Sequence, residues 1–151
     1  MASTQEKLAG SLRALKDYQE SHGNMIIKGH SALGETHTKR LLQNGYLQSV
    51  IRGWYIPSFP GSEGDTTVWY GSYWQFVSAY ATSRFGPDWC LTAEESLSYY
   101  AGETTCPSQL IIRSTKANNN VVQLLHGDSL MDITASIPTD MYVEPRYSIH
   151  L

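Results

Sequence analysis

The chain has 151 residues, 41% of them hydrophobic, enough to bury a core as one domain or as a small domain attached to a larger one. No apolar run approaches the ~20 residues that cross a bilayer, and residues 1–15 mix charged and polar side chains with isolated leucines, so neither membrane insertion nor a signal peptide is expected. The net charge of −3 hides a split, because residues 1–58 carry seven Lys/Arg against four acids and residues 59–151 carry four against ten. Such asymmetry points to a polyanion as partner of the first part and to a separate task for the rest.

In chain order, Ser3-Thr4-Gln5-Glu6 is a capping-box pattern, and Leu8, Leu12, Leu15 and Tyr18 follow at helical spacing until Ser21-His22-Gly23. Residues 25–29 are a short apolar run read as a strand, and residues 31–33 as a brief helical turn. A further helix is predicted from Gly34-Glu35-Thr36 to Asn44-Gly45, the pair that supplies left-handed backbone at a helix end. Residues 46–50 and 54–56 then read as two strands joined at Arg52-Gly53, with Arg52 at the tip. Helix, strand, helix, helix, strand, strand is the order of a winged helix-turn-helix, assigned to residues 1–58. Residues 58–65, with Pro60, Gly61 and Gly64, are the expected linker.

Residues 66–151 read as a small mixed α+β domain. Its central helix, residues 67–85, aligns Trp69, Tyr73, Phe76 and Tyr80 on one stripe beside Val68 and Trp74, an aromatic content that belongs in a core, and Gly86-Pro87 stops it. Thr92-Ala93-Glu94-Glu95 is a second capping box, opening a helix that Gly102 ends. Strands are predicted over residues 109–113, 121–125 and 130–133, with Ala117-Asn118-Asn119-Asn120 as a hairpin loop between the first two. Tyr147-Ser148-Ile149-His150-Leu151 alternates like a strand with no polar tail after it, so the natural protein is expected to continue past Leu151.

In a helix-turn-helix the second helix presents its N-terminal residues to base edges in the major groove. Thr36, His37, Thr38 and Lys39 are therefore the candidate base contacts and Arg40 a phosphate contact. Arg52 on the wing would meet the adjacent minor groove or backbone, and Lys28 a phosphate. Enzymatic chemistry has less to stand on. Glu94, Glu95, Asp128 and Asp132 could serve a metal-dependent nuclease, but helix-cap, first-turn and hairpin roles already account for them. A Cys90 nucleophile paired with His126 competes with a plain buried cysteine beside Trp89. Cys90 and Cys106 are too few for a disulfide framework or a four-ligand zinc site, and the five histidines follow no ligand spacing. A reducing cytoplasm, no cofactor, no metal and no catalytic activity are the expectations.

The run Leu41-Leu42-Gln43-Asn44-Gly45-Tyr46-Leu47, continued by Arg52-Gly53-Trp54-Tyr55, resembles the winged-helix domain of AbiEi-family antitoxins. Cys90-Leu91-Thr92-Ala93-Glu94-Glu95-Ser96-Leu97-Ser98-Tyr99-Tyr100-Ala101-Gly102, followed by Pro107 and residues 109–113, resembles that family's second domain, in the same order. Gly53-Trp54-Tyr55-Ile56-Pro57-Ser58, Arg84-Phe85-Gly86-Pro87-Asp88-Trp89-Cys90-Leu91 and His126-Gly127 are similar to the region ahead of Fic domains in bacterial proteins, although the Fic signature itself is absent from this chain. The first resemblance implies a regulator that binds double-stranded DNA and represses its own operon, with a cognate toxin as possible protein partner. The second implies a regulatory or protein-interaction module that engages a Fic domain.

Overall fold

The structure is a computed structural model that describes residues 2–22, 26–29, 32–62, 64–103 and 105–151. These residues form a mixed α+β chain with four helices and two sheets. Packing divides the chain into two compact units, Met1–Ser72 and Tyr73–Leu151. Among the described residues no helix is long and apolar enough to cross a membrane.

The first unit opens with α1 (Thr4–His22). Both halves of its capping box form: the Ser3 hydroxyl accepts from the Glu6 amide at 3.1 Å, and the Glu6 carboxylate accepts from the Ser3 amide at 3.4 Å. Next come β1 (Ile27–Lys28), α2 (Glu35–Gln43), β2 (Leu47–Ile51) and β3 (Trp54–Pro57), the strands forming an antiparallel sheet in the order β1-β3-β2. The expected strand before the hairpin therefore does join it. Gly23, Met25 and Ser31, which the sequence placed at a helix stop, a strand start and a helical turn, lie outside the described residues. Ala32 and Leu33 make a turn.

Helix α2 ends in a Schellman arrangement. Gly45, at φ 81°, donates to the Leu42 carbonyl at 3.2 Å, and Tyr46 donates to Leu41 at 2.9 Å. This reverses the chain into β2 without a linker. Gly53, at φ 86°, closes the two-residue turn into β3, and the register shifts between Ser49 and Ile51, where Val50 is buried as Leu47 is. Leu15, Ile27, Leu33, Leu41, Leu47 and Tyr55 form one buried cluster, so both helices and all three strands contribute to a single core. Trp54 is also buried, with the Lys28 ammonium 5.7 Å from its ring centroid on the neighbouring strand.

Hydrogen bonds hold several of the described residues of the segment expected as a linker. Ser58 donates to the Tyr46 carbonyl at 3.0 Å, Ser62 donates to Phe59 at 3.1 Å, and the Asp65 carboxylate accepts from the Thr67 amide at 2.9 Å, at the start of α3 (Thr67–Phe85). The loop thus falls within the first unit, and the division runs through α3 after Ser72.

The second unit holds the rest of α3, whose Tyr73, Trp74, Phe76, Val77, Tyr80, Ala81 and Phe85 are all buried. Then follow β4 (Cys90–Leu91), α4 (Ala93–Tyr100), β5 (Gln109–Ser114), β6 (Val121–Gln123) and β7 (Ser129–Thr134). Thr92 caps α4 by accepting from the Glu95 amide at 3.4 Å. The sheet order is β4-β5-β7-β6, with β5 and β7 parallel from Gln109↔Ser129 to Ser114↔Thr134. The expected β5–β6 hairpin is therefore incorrect: β6 pairs with β7, across Leu125–Gly127, and residues 115–120 cross over. The cause is Asp132, which is 1% exposed and accepts from the amides of Asn118 at 3.3 Å and Asn120 at 3.0 Å, while Asn119 Oδ1 accepts from the Thr134 amide at 2.9 Å. The asparagine run is strapped onto β7 instead of closing β5 onto β6. The expected strand at residues 147–151 is likewise replaced, by a turn at residues 145–147 and a single bridge between Val143 and His150.

Candidate nucleic-acid interface

Helical spacing decides what α2 offers to solvent. Thr38 and Leu41, three apart, face the core and are fully buried, while Thr36, Lys39 and Gln43, at the same periodicity, are exposed on the other side. Glu35, Thr36, Lys39, Arg40 and Gln43 line an open depression of about 370 Å³. Three of the seven candidate residues, Thr36, Lys39 and Arg40, are thus brought together.

Thr38 does not belong with them. Its hydroxyl donates to the Gly34 carbonyl at 2.8 Å in the first turn, and its exposure is 0%, so it secures the helix start and cannot reach a base edge. The carbonyl of Gly34, the residue that begins the helix at φ 88°, accepts from both the amide and the hydroxyl of Thr38.

His37 and Arg40 occupy the flank of α2 that meets α1. Arg40 Nη1 donates to the Ser11 hydroxyl at 2.9 Å and to the Lys7 carbonyl at 3.4 Å, and His37 Nδ1 lies 2.7 Å from the same Ser11 hydroxyl. Arginine can only donate, so Ser11 accepts from Arg40 while the same hydroxyl meets the His37 ring nitrogen. Both side chains are half-buried and held in place. Sequence reading missed Ser11. The signal was a serine between Leu8 and Leu15 on the inward stripe of α1, where 0% exposure demands partners.

Arg52 is exposed at the β2–β3 tip, and Lys28 extends from the exposed position of β1. Neither lines the α2 depression. The unit boundary also alters the electrostatics: Met1–Ser72 takes in Glu63 and Asp65, leaving seven Lys/Arg against six acids. Any preference for a polyanion therefore resides in where Lys39, Arg40, Arg52 and Lys28 stand and not in bulk charge.

The residues weighed for catalysis lie in the second unit. Asp132 pairs with Arg84 at 2.7 Å besides its two backbone donors. Glu95, in the first turn of α4, has its carboxyl pushed up by burial and by neighbouring Glu94. Cys90 is buried in β4, and burial pushes its thiol up; the Cys106 thiol is pushed up to about 11 by burial and by Asp128. Thiols so placed are scarcely ionised at neutral pH and make poor nucleophiles. Among the described residues, no three His, Cys, Asp or Glu side chains are grouped to hold a metal ion.

No protein-family model, curated protein or solved structure matches the chain.

Proposed function

We propose that the first unit is a winged helix-turn-helix that binds double-stranded DNA, with α2 as recognition helix and β2–β3 as wing, and that the chain is a cytoplasmic, non-enzymatic regulator of AbiEi antitoxin type. Its task is repression of its own operon. The observation that carries this reading is the outward face of α2, where Thr36 and Lys39 are exposed on a helix anchored from behind and followed directly by a hairpin with Arg52 at its tip. The Ser11 bridge supports it, because a helix that inserts into a groove must hold its side chains in register.

The test is an anisotropy titration of the full chain against duplex from its own upstream region. Expected are a preference over random duplex and an affinity that falls steeply with salt. In a Lys39→Ala/Arg52→Ala variant the log–log salt slope should flatten by about 1 per phosphate contact removed. Equal binding to upstream and random duplex at low salt overturns the repressor reading. Glu35 favours a second reading: a carboxylate beside Lys39 and Arg40 in one depression suits a polar protein surface, and hence a module that engages a Fic domain. Capture of a Fic domain by a chain that ignores DNA would establish that alternative.

A further inference from the structure

Three exposed large apolar side chains of the second unit gather around one depression. Leu97 is 71% exposed, Tyr100 77% and Tyr142 52%, although Leu and Tyr are costly to leave in water. The two tyrosines come from α4 and from the C-terminal segment, and their rings stand 81° apart with centroids separated by 6.3 Å. Together with Leu97, Pro138, Asp140 and Met141 they line a depression of about 340 Å³, at the small end of ligand-site sizes. Among the described residues no Lys, Arg or His lines it.

We infer that this depression is a binding subsite for an arginine side chain presented by a protein partner. Each part of that side chain finds its complement. The guanidinium is planar and weakly hydrated, so it stacks on exposed tyrosine faces, which attract cations through the ring quadrupole. Asp140 supplies a carboxylate whose two oxygens match the guanidinium fork. The methylene stem lies along Leu97, Pro138 and Met141, as long cationic side chains commonly lie on apolar surface. Long-range charge favours the same partner: residues 73–151 carry four Lys/Arg against eight acids, and Glu94 and Glu95 stand in the first turn of the helix that bears Leu97 and Tyr100. The subsite is independent of whether the first unit binds DNA.

The test is NMR on the full chain with N-acetyl-arginine methylamide as probe and N-acetyl-citrulline methylamide as its neutral isostere. Saturable shifts centred on Tyr100 and Tyr142 are expected with the arginine probe and none with citrulline. Asp140→Asn and Tyr142→Leu should each weaken binding about threefold, the scale of an exposed ion pair or one exposed cation–π contact. Both residues are exposed, and unchanged amide spectra away from the patch verify that the variants fold. Equal response to citrulline, shifts insensitive to both substitutions, or equally tight binding of N-acetyl-lysine methylamide would each overturn the assignment.

Discussion

Ser11 illustrates how much one small side chain can organise. It is completely buried, yet it serves two polar side chains of another helix, Arg40 at 2.9 Å and His37 at 2.7 Å. Replacing it by alanine keeps the backbone and most of the volume but strands an arginine donor and an imidazole nitrogen at a half-buried contact. Ser11→Ala should therefore lower unfolding free energy by about 1–3 kcal/mol, the cost of leaving a buried polar group without its partner. Urea melts of the two proteins measure this, and an unchanged midpoint would mean that water replaces the hydroxyl at no cost. Of the candidate interface residues, Thr36, Lys39 and Arg40 were legible because helical spacing places them on one side of α2. Thr38 was not, since one sequence position separates an outward residue from an inward one and its hydroxyl reads the same on either face.

At the level of elements, the legible features were those settled by neighbours in sequence. Ser3 with Glu6, Thr92 with Glu95, and the positive φ of Gly45 and Gly86 fix helix ends within four residues, so their chemistry suffices to find them. Strand pairing depends on distant partners. The two-residue β4 carries no periodicity of its own, and the asparagine run reads as a turn whichever strands it joins. What decides the pairing is Asp132, where Asn118, Asn120 and Arg84 converge on one buried carboxylate. Asp132→Ala takes this acceptor from all three donors, of which the partly exposed Arg84 keeps the Tyr80 hydroxyl. It should destabilise the chain by about 1–3 kcal/mol, the cost of leaving buried polar groups without a partner. The urea midpoint reports it, and backbone amide resonances of residues 117–120 should shift most. A loss below ~1 kcal/mol would mean that the crossover holds without this carboxylate.

For the whole molecule, acid should be destabilising through His150. This ring stacks on Trp89 at 4.1 Å and bonds the Trp89 carbonyl at 2.8 Å. Burial lowers its pKa below the usual 6.5, with the carbonyl bond opposing that shift. The unfolded chain therefore takes up the proton at a higher pH than the folded chain. His150's contribution is fully present above 6.5 and is lost as pH falls from there through the lowered folded value. Urea midpoints at about pH 7.5 and 5.5 should differ less in a His150→Asn variant, which retains a donor for the carbonyl but does not titrate. Identical pH dependence in the two proteins would assign the effect to other groups.

The strand order β4-β5-β7-β6 also has a consequence for the order of events during synthesis. Leu110 and Ile112 of β5 are completely buried in the finished sheet, yet β5 gains its long parallel neighbour only once Ser129–Thr134 has been made. Leaving the ribosome, β5 has the short β4 on one edge and an open edge on the other until β6 and β7 have emerged and closed their own local hairpin. Parallel pairing of this kind is slow, because the intervening loop must be closed before any contact rewards it. The nascent chain thus passes through an interval in which an apolar strand edge is available to other chains, and crowding of ribosomes on one message, or rapid refolding at high concentration, is where this molecule is most exposed to aggregation.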